Sequence, residues 1–276
     1  MDHRVVIGYA PTRRRIFSAQ DAVKYKKMIA DRLREWEVEF VDIEDINEEG
    51  LLRCAEDVQP VIDKFSRAKV DALFIPHCNF GSEHSCGKVA AALHVPVLLW
   101  GPRDEAPEPD GSRLRDTQCG LFATGKVLRR MKVPFTYVPN CRVDSPQFEK
   151  GFKNFVAAAN VIKEFRRGRI LQIDTRPADF WTMMVNEGEL LEKFGIQVFP
   201  ITMVEFADKV LELEASDSAE VEETERYIYE HMDVCIPKES VRRVASLKEA
   251  MKYFARVNEC NAVAIQCWDA LQQALH

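Results

Sequence analysis

Ala72-Leu73-Phe74-Ile75-Pro76-His77-Cys78-Asn79-Phe80-Gly81-Ser82-Glu83 is the stretch from which the fold can be read. Its first four residues form an apolar run without alternation, the pattern of a strand covered on both faces, and Pro76 stops it. The next seven residues turn polar and include Gly81, a residue able to take the sharp backbone turn into a following helix. A helix around Ser85 to Leu93 completes one strand–loop–helix unit.

The same alternation extends in both directions. Towards the N-terminus lie a strand over Val5 to Tyr9, a helix over Ser18 to Trp36 and a strand over Val38 to Val41. The helix carries Ala22, Tyr25, Met28, Ile29 and Leu33 at helical spacing, with Ser18 and Asp21 as a capping box. A helix over Leu51 to Lys69 then leads into Ala72. Towards the C-terminus come a strand over Val95 to Trp100, a helix around Asp116 to Met131, a strand over Val133 to Val138 and a helix over Pro146 to Arg166. Five strands alternating with helices predict a parallel, doubly wound sheet with right-handed crossovers, here a flavodoxin-like domain over residues 1–168. After the polar run Arg166-Arg167-Gly168-Arg169 the pattern restarts, with strands at 170–173, 196–199 and 262–265 and helices at 187–194, 220–231 and 247–258. The expected fold class is thus α/β, two consecutive doubly wound parallel-sheet domains. The second, residues 169–276, is smaller or incomplete, because three strands are few for a sheet covered by helices.

Of the 276 residues, 38 are Lys or Arg and 44 are Asp or Glu, a net charge of −6. No basic surplus is available to neutralise a phosphate backbone, which argues against nucleic acid as a partner. No apolar run approaches the roughly 20 residues of a membrane span. The start MDHRVVIGYAP passes from charge into a strand without a signal-peptide core, so no membrane association and a cytoplasmic location are expected. Eight cysteines are scattered without a C-x-x-C pair, the pattern of reduced thiols and not of a zinc site.

Open parallel sheets bind ligands beyond the carboxyl ends of their strands, so four loops are singled out. Arg13, Arg14 and Arg15 follow the first strand; they can bind hydroxyls or anions, or simply be a solvated basic loop. His77 to His84 follow the third strand, where His77 and Cys78 read either as site residues or as core. Thr175 to Trp181 open the second domain, and Gln266-Cys267-Trp268-Asp269 follow its last strand. An indole beside an amide suits a sugar, and a tryptophan capping the core is the competing explanation. Gly120 to Val127 match a phosphate-loop spacing except at the end, where Val127 replaces the magnesium-binding hydroxyl; the match begins inside a helical stretch and reads as chance.

Taken in order, Ile7-Gly8-Tyr9-Ala10-Pro11-Thr12-Arg13-Arg14, Pro76 to Glu83, Thr175-Arg176-Pro177-Ala178-Asp179-Phe180 with Phe194-Gly195-Ile196, and Ala264-Ile265-Gln266-Cys267-Trp268 resemble the L-fucose and L-arabinose isomerase family of aldose–ketose isomerases. The resemblance implies sugar chemistry in which a divalent cation, typically manganese, polarises the open-chain substrate while carboxylates shuttle a proton. It places the metal ligands, two carboxylates and a histidine, beyond the point corresponding to Trp268. The chain is therefore expected to resemble the two N-terminal domains without the metal-binding domain, to need no cofactor of its own and to have no catalytic residue. Manganese enters only if the missing domain is supplied; the expected partners are a sugar substrate and either further copies of the chain in a homo-oligomer or a chain carrying the missing catalytic domain. By the same resemblance Arg13, Arg14, Cys78, Asn79, Glu83, Gln266 and Trp268 are the substrate-side residues. Two other readings stand beside it. One is a cofactor-independent amino-acid racemase with Cys78 and Cys267 as its two thiols, against which Phe80 and Trp268 occupy positions where that motif carries threonine. The other is a non-catalytic sugar-binding or assembly module.

Overall fold

The structure, a computed structural model, describes residues 5–275. They fall into two compact units, the first ending at Lys163 and the second beginning at Glu164. Among the described residues no helix is long and apolar enough to cross a membrane.

The first unit contains the strands β1 (Ile7–Tyr9), β2 (Phe40–Val41), β3 (Ala72–Pro76), β4 (Val97–Trp100) and β5 (Phe135–Tyr137). They form one parallel sheet in the order β2-β1-β3-β4-β5. Connections lead from β1 outward to β2 and from β3 outward the other way, so the crevice at the carboxyl ends of β1 and β3 is the topological switch point. All five residues of β3 are buried. Phe74 joins Tyr9, Trp100, Phe148 and Phe152 on one face. Leu73 and Ile75 join Phe65, Val89 and Leu99 on the other. The helices α1 (Ala19–Glu35), α2 (Val58–Ala68), α3 (Glu83–Leu93), α4 (Thr117–Arg130) and α5 (Pro146–Phe165) alternate with the strands.

Ser18 caps α1 as its spacing predicts, accepting the Asp21 N–H at 3.1 Å. The Asp21 carboxylate takes the Ser18 hydroxyl at 2.7 Å instead of returning to the cap backbone. The helix expected from Leu51 begins only at Val58. Residues before it serve the β1 loop, where the Leu52 N–H donates to Pro11 O at 2.8 Å and Leu52 O accepts the Thr12 hydroxyl at 2.6 Å. Asp57 then accepts the N–H groups of Arg53 and Cys54.

The second unit holds β6 (Arg169–Ile173), β7 (Gln197–Ile201) and β8 (Ala262–Ile265), parallel in the order β7-β6-β8. Leu171 and Ile173 pack against Phe206, Val210 and Ala250. The sequence pattern locates α6 (Glu187–Phe194) and α8 (Ala219–His231), misses α7 (Met203–Ala215), and starts α9 (Lys238–Val257) nine residues late. A reciprocal Thr202–Glu205 capping box was the available signal for α7.

Gly120 sits inside α4, so its phosphate-loop spacing describes a helix and no phosphate cradle. Its glycine serves packing, since a Cβ there would lie 1.7 Å from the carbonyl oxygen of Phe80. Gly120→Ala is expected to destabilise the protein by about 3 kcal/mol, because the obstacle is backbone that cannot rotate away. Gly125→Ala in the same helix meets only the edge of the Phe135 ring, at 3.3 Å. It should remain within about 1 kcal/mol of the wild type in chemical denaturation, and equal effects at the two positions would contradict this account.

Candidate functional site

Two loops meet at the switch point of the first unit, Pro11 to Ser18 after β1 and His77 to Ser82 after β3. Thr12 is fully buried and joins them; its N–H donates to Pro76 O at 2.9 Å and its hydroxyl oxygen accepts the Ser82 N–H at 2.9 Å. Asn79, also fully buried, uses both ends of its amide on backbone. Its Oδ1 accepts the N–H groups of Arg14 at 2.7 Å and Gly81 at 3.2 Å. Its Nδ2 donates to the carbonyls of Arg14 at 3.4 Å and Ser18 at 3.2 Å. Gly81 turns the chain with φ +81°, and a Cβ there would stand 2.5 Å from the His77 ring.

On this frame the Arg14 side chain lies along the surface. Its Nε donates to Gly81 O at 3.0 Å, and its guanidinium covers the Phe80 ring at 4.3 Å from the centroid. Phe80 is backed in turn by a stack with Phe17 at 5.6 Å. The Arg14 Nη2 reaches Glu83 Oε1 at 3.6 Å, an ion pair without a hydrogen bond. Glu83 opens α3, where the helix N-terminus favours a carboxylate. Both side chains are about one-third exposed, at 33% and 37%. Among the described residues nothing accepts from Arg14 Nη1, so a fixed, partly desolvated guanidinium presents free donors beside a carboxylate. That arrangement suits a ligand rich in hydroxyl groups or carrying an anion.

The remaining expected residues of this unit lie elsewhere. Arg13 makes a two-point contact with Glu49, Nε to Oε2 at 2.6 Å and Nη2 to Oε1 at 2.8 Å, and so anchors the segment after β2. Cys78 is fully buried in the cluster of Tyr9, Phe74 and Trp100, and burial pushes its thiol up to about 12. Strand alternation carries on past Pro76 and turns that side chain inward. His77 is buried as well, with Nε2 2.8 Å from the Thr124 hydroxyl and Nδ1 3.4 Å from Ile75 O. Desolvation holds it down at about 4. Sequence reasoning passed over Thr12 and Phe80 as site residues, because Thr12 meets partners 40 and 70 residues away in the chain.

In the second unit Gln266 and Trp268 line a cleft of about 620 Å³ at the carboxyl ends of β6 and β8. Phe180 meets Trp268 edge to face at 5.4 Å, and Trp268 is 62% exposed, which does not fit a tryptophan that closes a core. Gln172, Met184 and Leu190 add to the walls. Arg176 is spent on its own loop, donating to Pro177 O and Ala178 O. Asp269 takes φ +62°, a turn that lets the chain leave β8 sharply.

A divalent cation needs converging oxygen or nitrogen ligands. Among the described residues no three His, Cys, Asp or Glu side chains converge in that way. Glu83 faces an arginine and the acidic stretch of α8 lies along a helix. Among the described residues the chain therefore offers no ligand set for the manganese that the resemblance implies.

The buried His77 makes stability depend on acid. Below its ordinary value of 6.5 the unfolded chain takes up a proton that the folded chain refuses until about 4. Stability is complete above 6.5 and falls as the pH drops through that window, by up to about 1.4 kcal/mol per pH unit. Denaturant titrations should show a shallower slope in His77→Gln than in the wild type between pH 6.5 and 5; equal slopes would mean that His77 takes up its proton in the folded state.

Comparison with known proteins identifies the family. A sulfoquinovose isomerase from Alkalicoccus urumqiensis is 22% identical over 199 residues, which cover 72% of this chain and 44% of that protein. The chain thus spans less than half the length of this relative. A periplasmic ABC-transporter solute-binding protein from Actinobacillus succinogenes 130z with bound D-allose aligns over 98% of this chain and 80% of its own, at 10% identity and a TM-score of 0.26, too low to bear on fold or function. Residues 8–166, nearly all of the first unit, match the model described as "Fucose/sulfoquinovose isomerase, N-terminal domain", and the chain belongs to that family.

Proposed function

We propose that this sugar isomerase-like chain supplies the substrate-holding side of an aldose–ketose isomerase, with the metal ligands on sequence outside the described residues. The observation that carries this reading is the Arg14 guanidinium. It is held by Gly81 O and Phe80, paired loosely with Glu83, and retains free donors at the switch point of the family-matched unit. An open-chain sugar offers hydroxyl oxygens to such donors and hydroxyl hydrogens to Glu83. In the second unit, taken by itself, Gln266 and Trp268 offer an amide and an exposed indole face, a pair that suits a sugar. A polypeptide bearing the ligands completes the site. Arg13, Cys78 and Asn79 serve this reading from behind the surface and do not touch the sugar.

The racemase reading needs a thiolate at Cys78. That thiol is fully buried among Tyr9, Phe74 and Trp100, where burial pushes it up and away from the thiolate form, which disfavours Cys78 as the base for either enantiomer.

Amide NMR titration with L-fucose, L-arabinose and sulfoquinovose tests the proposal. Shifts are expected at Arg14, Phe80 to Glu83 and Gln266 to Asp269, saturating in the millimolar range. Arg14→Ala should weaken binding at least about tenfold, the loss of one charge-assisted hydrogen bond. Added manganese alone should produce no ketose. No shift with any of the three sugars would overturn the reading, and turnover by the purified chain that is lost on chelation would show that it carries its own metal site.

A further inference from the structure

Asn79 has the residue type of a sugar contact and the surroundings of something else. An amide side chain can accept two hydrogen bonds and donate two. Here Oδ1 takes the N–H groups of Arg14 and Gly81, and Nδ2 gives to the carbonyls of Arg14 and Ser18. Nothing remains for a ligand, and the residue is fully buried. What the amide grips is informative. It holds both backbone polar groups of one residue, Arg14, from a loop 65 positions away in the chain. The same two amide atoms also hold Gly81, whose carbonyl accepts the Arg14 Nε–H, and Ser18, which caps α1. Arg14 is thus fixed twice, at its backbone by Asn79 and at its guanidinium by a carbonyl that Asn79 also orders.

We infer that Asn79 is a positioning residue that aims the Arg14 guanidinium, and that it does not contact the ligand; this rests on the proposal that Arg14 holds the substrate. Thr12 ties the same two loops through the Ser82 N–H and hydrogen-bonds neither Arg14 nor Gly81 by side chain; its methyl lies against Gly81, a contact that Thr12→Val keeps, so that variant separates loop closure in general from the aim of Arg14.

The test follows the Arg14 side chain directly. In ¹⁵N NMR of the full chain the Arg14 Nε–H, hydrogen-bonded to Gly81 O, should exchange slowly with solvent. Asn79→Ala should speed that exchange at least about tenfold, as expected for losing one bond of ordinary net strength, while β3 and β4 amides keep their protection. Thr12→Val should leave it within about twofold in molecules that stay folded. Unchanged Arg14 exchange in folded Asn79→Ala overturns the inference, whatever the chain binds. Should Asn79→Ala fail to fold, Asn79→Asp keeps both acceptors, removes both donors and reads the same signal. A second arm uses L-fucose titration of Asn79→Ala, Arg14→Ala and the double variant. Strong coupling is expected, with Arg14→Ala costing tenfold in the wild-type background and less than twofold beside Asn79→Ala. Independent losses that multiply would show that Asn79 acts on the ligand separately and would also overturn it. Absence of sugar binding in the wild type would instead overturn the functional proposal and leave the exchange result standing.

Discussion

The burial of β3 on both faces is the constraint on which the first unit depends. Ala72 to Pro76 lies between β1 and β4, with Phe74 directed to one apolar cluster and Leu73 and Ile75 to the other. Each such side chain contributes on the order of 1.5–3 kcal/mol through burial, and neither face can be left to water. Helices must therefore cover both sides. Parallel strands with helical crossovers then send every strand-end loop to one edge of the sheet. The β1 and β3 loops meet there because their strands are neighbours in space, although 65 residues separate Arg14 from Asn79.

At that edge the buried polar groups are matched with little to spare. Thr12 and Asn79 satisfy backbone donors and acceptors that a tight crossing would otherwise leave unpaired, each worth about 1–3 kcal/mol if orphaned. Gly120 lets α4 approach the Phe80 carbonyl, so the rear of the same loop is packed against helix backbone. The surface consequence is an arginine that cannot wander, resting on a stacked pair of phenylalanines. Rigidity of this kind lowers the entropy lost when a ligand is bound, which is what a substrate-holding surface requires.

The second unit is built on the same plan with fewer parts. β6 is central and β8 is an edge strand whose first three residues are exposed. Its cleft is mostly apolar, with an amide and an indole at the strand ends, whereas the first unit offers charge. The two surfaces differ in chemistry although each lies where a parallel sheet places a ligand.

The sequence by itself determined the strand–helix alternation, the parallel sheets, the polar loops at the strand ends and the family. Those features are local: apolar runs, helical spacing, a capping serine, and motifs each no longer than a dozen residues. It also marked the polar loops that follow the first and third strands. It could not distribute roles among Arg13, Arg14, Cys78 and Asn79, because residue type alone does not say which way a side chain leaves the loop. Tertiary structure decided that Arg13 pairs with Glu49, that Cys78 and His77 face the core, and that Asn79 grips backbone. It also kept Leu51 to Asp57 out of helix, since the β1 loop needed their backbone groups as partners. The physical reason is common to all of these. A buried polar group takes whichever partner lies nearest in space, and in a parallel sheet that partner comes from a strand-end loop tens of residues away.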